Sequence, residues 1–185
     1  MSAHFKRQLA DYVEYHRDPR NCVLHVFGIV FLFLAAVLPL SLWPVHAFGA
    51  RISVAAILVL PVLIYWLLLD FGIGTGIVGA AFALLYIAGV IVNYASIAMV
   101  WAIAAALIAI GVGFQIIGHR VFERRQPALV DNPTHLLLGP MFVMAKLYIV
   151  LGYRHDLAAI IGPAPQPPVR SASLSDRQSK SLPHT

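Results

Sequence analysis

The sequence predicts an all-α integral membrane protein: a helical bundle of four transmembrane helices, a short fifth helix that is re-entrant or interfacial, and an N-terminal amphipathic helix. Three observations carry that prediction. Hydrophobic residues make up 60% of the 185-residue chain and charged residues 11%, against about 45–50% and about 25% in soluble proteins. Mean hydropathy is +0.81. The charges also gather in two short islands, YHRDPRNCVLH at 15–25 and QIIGHRVFERRQPALVDNPTH at 115–135, and the chain between them is nearly uncharged.

Residues 2–17 read as the amphipathic helix. Phe5, Leu9, Tyr12 and His16 recur at helical spacing and form one stripe, with Lys6, Arg7, Asp11 and Glu14 lying away from it. Such a helix is expected to rest in the membrane interface. Pro19 disfavours helix at Asp18, so the chain should turn there. Asn21 is then the expected N-cap of the first span, which puts His25 in its first turn.

Four apolar runs come next, at Val26–Leu42, Ile52–Leu69, Ile73–Val92 and Ala95–Ile117, each near the length a bilayer requires. The breaks at Asp70-Phe71-Gly72 and Asn93-Tyr94 are so short that consecutive helices must be antiparallel neighbours. Gly72, Gly74, Gly76 and Gly79 crowd the start of the third helix, where small residues allow close packing. Lys6, Arg7, Arg17 and Arg20 precede the first span, and Arg120, Arg124 and Arg125 come after the fourth. Four crossings return the chain to its starting side, so both basic islands are expected to face the cytoplasm.

A fifth run, Leu136–Leu151, is shorter and carries Gly139-Pro140 and Lys146, which suits a helix that does not cross. Residues 1–161 are therefore expected to form a single membrane-embedded domain. Residues 162–185, rich in Pro and Ser, are expected to be a disordered tail. With the positive charge explained by topology, no nucleic-acid partner is expected. One cysteine, Cys22, excludes an internal disulfide. About 25 mixed polar residues precede the first apolar run, so no signal peptide is expected and that run should be retained. The absence of a retention motif and the short chain favour a bacterial inner membrane over the endoplasmic reticulum.

Of eight histidines, His16, His25, His119 and His135 all fall at the expected cytoplasmic boundary, each where a helix begins or ends. Neutral imidazole ligates iron, zinc or copper, so these four are the candidate metal ligands. The competing reading is four interface histidines bonded to headgroups or helix ends. His119 and Glu123, spaced i, i+4, should share a helix face, which makes Glu123 the best partner to orient His119. Asn132-Pro133 supplies a cap and a first helical residue that place His135 in the first turn of the fifth helix. Asp131 and Asp18 are weaker candidates, either as ligands or as mates for arginines. The arginines set topology first, and one of Arg120, Arg124 and Arg125 also suits an acyl carboxylate. No phosphate-binding glycine loop, serine elbow or HExxH pair is present.

YHRDPRNCVLH, then FQIIGHRVFERRQPALVDN and a closing GP, resemble the Mpo1-like family over about residues 5–152. The resemblance implies an iron(II)-dependent membrane dioxygenase that acts on 2-hydroxy fatty acids and O2. It cleaves C1–C2 to leave a fatty acid one carbon shorter, a step of α-oxidation. Carried onto this chain, the family's motif implies iron at His16, His25 and His119, with His135 or a water completing the set. Asn21, Glu123, Pro127 and Asp131 also fall on motif positions. Glu123 and Arg120 are then the expected catalytic residues, and Arg124 and Asn21 the expected substrate contacts. Two other readings stand beside this one: a di-metal lipid hydroxylase or desaturase, and a non-enzymatic membrane protein that binds lipid or assists assembly.

Overall fold

A computed structural model of the chain describes residues 3–47, 49–124 and 135–162. The order is α1 (Ala3–Val13), α2 (Pro19–Leu40), β1 (Pro44–Ala47), β2 (Ala50–Ser53), α3 (Val54–Leu69), α4 (Phe71–Tyr94), α5 (Ile97–Ile117), a π-helical turn (Gly118–Glu123), α6 (His135–Val150) and α7 (His155–Ile161). Helices α2, α4 and α5 with its π turn are long and apolar enough to cross a membrane, while α3 and α6 are apolar helices of 16 residues. At 1.5 Å per residue a 16-residue helix rises about 24 Å, short of a hydrocarbon core of about 30 Å. The all-α bundle is as expected, with three long apolar helices and two shorter ones among the described residues.

Short polar side chains start the helices. Asp18, not Asn21, caps α2: its Oδ1 accepts from Arg20 N at 2.7 Å, and Pro19 is the first helical residue. Proline is well suited to that position because its missing N–H would have no intrahelical partner. The helix therefore starts well before Val26, and His25 lies in its second turn. Ser53 caps α3 and Ser96 caps α5, each Oγ accepting from the N–H three residues on. The segment 44–53, read from sequence as loop and span, forms an antiparallel hairpin with Val45 opposite Ile52.

The bundle's main seam joins α2 to α5. Asn21 lies against Gly118, Gly28 against Gln115 and Leu32 against Gly111, so residue numbers rise on one helix as they fall on the other. The helices are antiparallel, and the start of α2 meets the end of α5. Outward-facing Phe82, Tyr86, Trp101 and Ile108 are exposed, as suits a surface in contact with lipid.

Helix α6 does not cross. Near its start the Leu137 carbonyl accepts from Trp66 Nε1 in the last turn of α3 (2.7 Å). Further along, Lys146 Nζ donates to Cys22 Sγ at the start of α2 (2.9 Å). Near its end Tyr148 lies against Gly76, in the second turn of α4. All three partners sit at one end of the bundle, so α6 lies across that end. Helix α1 in turn lies on α6 and α7. Its expected stripe is present, since Phe5, Leu9 and Tyr12 are buried, and the stripe faces protein.

Asp70 ties this end together. Its Oδ1 accepts from Ile73 N and caps α4, while Arg154 donates to both carboxylate oxygens (2.8 and 3.1 Å). Burial alone would raise the Asp70 carboxyl, but the Arg154 and Ile73 hydrogen bonds outweigh it and hold it below the usual carboxylate range. A folded pKa below the unfolded one means stability fully present above about pH 4 and lost as pH falls through the folded value. Asp70→Asn keeps the cap but loses the ion pair. Because Arg154 keeps Asp156 at 2.8 Å, the cost should be about 2 kcal/mol, below the 3–5 of a fully buried pair. In thermal unfolding the gap between parent and variant should stay constant from neutral pH to about 4 and close below it. A gap that does not depend on pH would show that the pair does not act as described.

Candidate metal centre

Three of the four boundary histidines converge. His16, His25 and His119 each offer a ligand atom, and these atoms lie within 4.8 Å of one another. The ring centroids of His16 stand 4.5 Å from His25 and 4.9 Å from His119, and His25 and His119 are 5.7 Å apart. Their residual exposures are 2%, 8% and 2%. Metal–nitrogen bonds of about 2.1 Å require ligand nitrogens about 3.0–3.4 Å apart. Ring movements on the order of an ångström would therefore close the set on one ion.

Each imidazole arrives by a different local device. Helix α1 stops at Val13, and the chain folds back so that His16 Nδ1–H donates to the Tyr12 carbonyl at 2.9 Å. That bond fixes the tautomer and leaves the Nε2 lone pair buried with no hydrogen-bond partner among the described residues. His25 is held through Nε2 by the Tyr12 hydroxyl at 2.6 Å. His119 sits in the π turn, its Nδ1 also buried and without a partner among the described residues. Leaving such groups unsatisfied costs about 1–3 kcal/mol each. A cation accepting these lone pairs removes that cost, so the residues present fit a metal ion.

The electrostatics agree. Burial, reinforced by His25, His119 and Lys146 and only partly opposed by the Tyr12 carbonyl, pushes His16 down to about 2. It is neutral across the physiological range, the form that ligates a metal. Burial, and secondarily Cys22, raises the Tyr12 hydroxyl far above its ordinary value. Tyr12 therefore stays a neutral hydrogen-bonding group.

Glu123 is close enough to act on His119 through its charge, but its hydrogen bonds go elsewhere. The π turn closes i to i+5, which takes the i, i+4 pair out of register. Glu123 Oε1 instead accepts from the Asp18 N–H at 2.8 Å and from Asn21 Nδ2 at 3.1 Å. These bonds join the two polar islands across more than a hundred residues of sequence. Asn21 is fully buried between Glu123 and Gly118. The π turn ends at Arg124, whose left-handed backbone (φ 53°) lets its N–H reach the His119 carbonyl. Arg120 and Arg124 are both exposed.

His135 is buried but stands outside the three-histidine set. Its ring lies edge-on to Tyr12 and Tyr15, with centroids 5.5 and 5.8 Å away. Asp131, Arg125, Pro127 and the Asn132-Pro133 cap lie outside the described residues, as do residues 163–185.

Two residues at the site were not singled out from the sequence. Tyr12 stacks on His16 at 4.1 Å with an interplanar angle of 10° and bonds His25. Its signal was its place on the same stripe, four residues before His16. Gln115 reaches His25 from α5. Its signal was plainer: it is a polar residue in an apolar span, one turn before His119.

Comparison with known proteins bears on the chain as a whole. A family model described as "2-hydroxy-palmitic acid dioxygenase Mpo1-like" matches residues 2–151. The 2-hydroxy-palmitic acid dioxygenase MPO1 of Saccharomyces cerevisiae is 32% identical over 160 residues, covering 84% of this chain and 86% of that protein. No solved structure matches.

Proposed function

Because this chain belongs to the Mpo1-like family, we propose that it is an iron(II)-dependent dioxygenase that shortens 2-hydroxy fatty acids by one carbon. The observation that carries the reading is the buried triad His16, His25 and His119, with unsatisfied imidazole nitrogens, at one end of an apolar bundle. The reaction balances as RCH(OH)COOH + O2 → RCOOH + CO2 + H2O. C1–C2 breaks, the substrate supplies all four electrons that O2 takes up, and no further reductant is needed. Iron, when bound, would supply Lewis acidity for the hydroxyl and carboxylate and one-electron access to O2.

The chain's own residues do the rest. His16, His25 and His119 hold the ion, with His16 kept in one tautomer by the Tyr12 carbonyl. Tyr12 holds His25 by its hydroxyl and shields the cluster with its ring. Glu123 and Asn21 act as positioning residues, fixing the start of α2 against the end of α5 so that His25 and His119 keep their spacing. The exposed guanidiniums of Arg120 and Arg124 offer fork-like contacts to a carboxylate approaching from the polar side. An amphiphile dissolved in a bilayer would present its head group at this level with its tail among the helices.

Anaerobic loading of the purified protein with Fe(II) should give about one iron per chain. Addition of a long-chain 2-hydroxy acid should then consume O2 in step with appearance of the shortened acid. About two irons per chain would favour a di-metal hydroxylase. No iron and no O2 uptake would leave a lipid-binding protein.

A further inference from the structure

Beneath α6, a cavity of about 100 Å³ lies between α2, α3 and α4. Ile29 and Phe33 of α2, Trp66 of α3, Ala81 of α4, and Pro140 and Met144 of α6 are among its walls. Every lining side chain is apolar, and the one polar atom among them, Trp66 Nε1, is turned to the Leu137 carbonyl. Water needs two or more polar partners in such a space and would find none, whereas hydrocarbon needs none.

The cavity adjoins the histidines. Ile29 lies one turn after His25, on the same face of α2. Gly139, the neighbour of Pro140, marks how closely the two regions meet. A Cβ placed there would stand 2.9 Å from Ile29 Cδ1, 3.2 Å from Tyr12 Oη and 3.5 Å from His25 Nε2. On its other side the cavity is lined by Ala80 of α4, which is exposed on the outer apolar surface. The cavity therefore has its lipid side at α4 under α6, and on its other side Ile29 and Gly139 are in direct contact with the histidine cluster's surroundings.

We infer that this cavity receives the first carbons of the substrate's acyl chain, entering sideways from the bilayer, while the head group reaches the histidines. The inference rests on the dioxygenase reading for the identity of the head group. It adds where the chain is held and what limits it. A cavity of about 150 Å³ accommodates benzene, so one of about 100 Å³ holds roughly four chain carbons. The remainder of the chain stays in lipid. Acids should therefore be discriminated by bulk or branching in the carbons next to the hydroxyl, and little by total length.

Trp66 is a built-in reporter. The other two tryptophans, Trp43 and Trp101, lie half-exposed on the outer surface and can be replaced by Phe. In metal-free protein in detergent micelles, a 2-hydroxy acid brominated a few carbons beyond the hydroxyl should quench Trp66, and the unbrominated acid should displace it. Ala81→Phe, which fills the space of two or more methylenes, should raise the half-quenching concentration about tenfold or more. Val143→Phe, on the opposite wall, serves the same purpose should Ala81→Phe fail to fold. Brominated phosphatidylcholine should leave Trp66 unquenched. If it quenches Trp66 and the 2-hydroxy acid does not compete, the cavity is a seat for bilayer lipid and the inference falls. An unchanged quenching curve in folded Ala81→Phe or Val143→Phe overturns it equally. Cavity-dependent quenching without O2 uptake by iron-loaded protein would keep the acyl site and remove the dioxygenase reading. O2 uptake indifferent to both fillings would do the reverse.

Discussion

Replacing His119 with alanine should abolish iron retention and reduce O2 uptake to below about 1% of the parent. Loss of a group that merely orients a metal ligand costs 10–100-fold. Removing a ligand itself should exceed the upper end of that range, because two imidazoles from the α1–α2 segment would face nothing from α5. The effect on the metal-free protein should be small. His119 is buried, so truncation leaves a void, but it also removes a buried nitrogen without a partner, and the two terms oppose each other. The informative readout is therefore the thermal shift on adding Fe(II). Binding to the native state alone stabilises by about 2.7 kcal/mol at a hundredfold excess over Kd. The parent should show that upward shift and His119→Ala should not. His46→Ala, exposed in the hairpin at the other end of the bundle, should behave as the parent. Unchanged iron content and turnover in His119→Ala would remove the assignment of the centre.

The bundle and the triad were legible in the sequence because their causes are strong and local. An apolar run of about 20 residues has few alternatives in lipid, and the breaks at Asp70 and Asn93-Tyr94 fall where α3, α4 and α5 meet. An even number of antiparallel runs brought His25 and His119 to one end before any contact was known. The features that were missed depend on short-range geometry. Pro19 carries two meanings, breaker for Asp18 and favoured first residue of α2, and the second one set the helix start. The His119–Glu123 spacing was read as α-helical, and nothing in GHRVFE announces a π turn. The N-terminal stripe was correctly placed on one helix face, but hydrophobicity does not name α6 and α7 as the surface it packs on. Tyr12 was read as part of that stripe, and a spacing pattern carries no information about its hydroxyl or its stacking on His16.

Gly118→Ala should be the most damaging substitution that touches no ligand. The backbone gives no reason for glycine there, since φ and ψ are −53° and −53°, ordinary right-handed helix. In such a position alanine would normally stabilise by about 0.5–1 kcal/mol. The obstacle is across the seam: a Cβ on Gly118 would overlap Asn21 Oδ1 and stand 3.7 Å from the Asn21 Cα. Asn21 has little freedom to yield, being fully buried with its Nδ2 bonded to Glu123. Relief therefore requires the start of α2 to move from the end of α5 by about an ångström. That displaces His119, the next residue, from His25. Overpacking of this kind costs about 1–3 kcal/mol in stability, and a misplacement of about 1 Å costs on the order of 100-fold in rate. Both losses should appear in Gly118→Ala, in thermal unfolding and in O2 uptake. Because the cause is one contact, the double variant Asn21→Ala/Gly118→Ala should recover part of both, giving a coupling of about 1 kcal/mol or more between neighbours that touch. Strict additivity of the two substitutions would place the need for glycine elsewhere and separate Asn21 from the positioning of the centre.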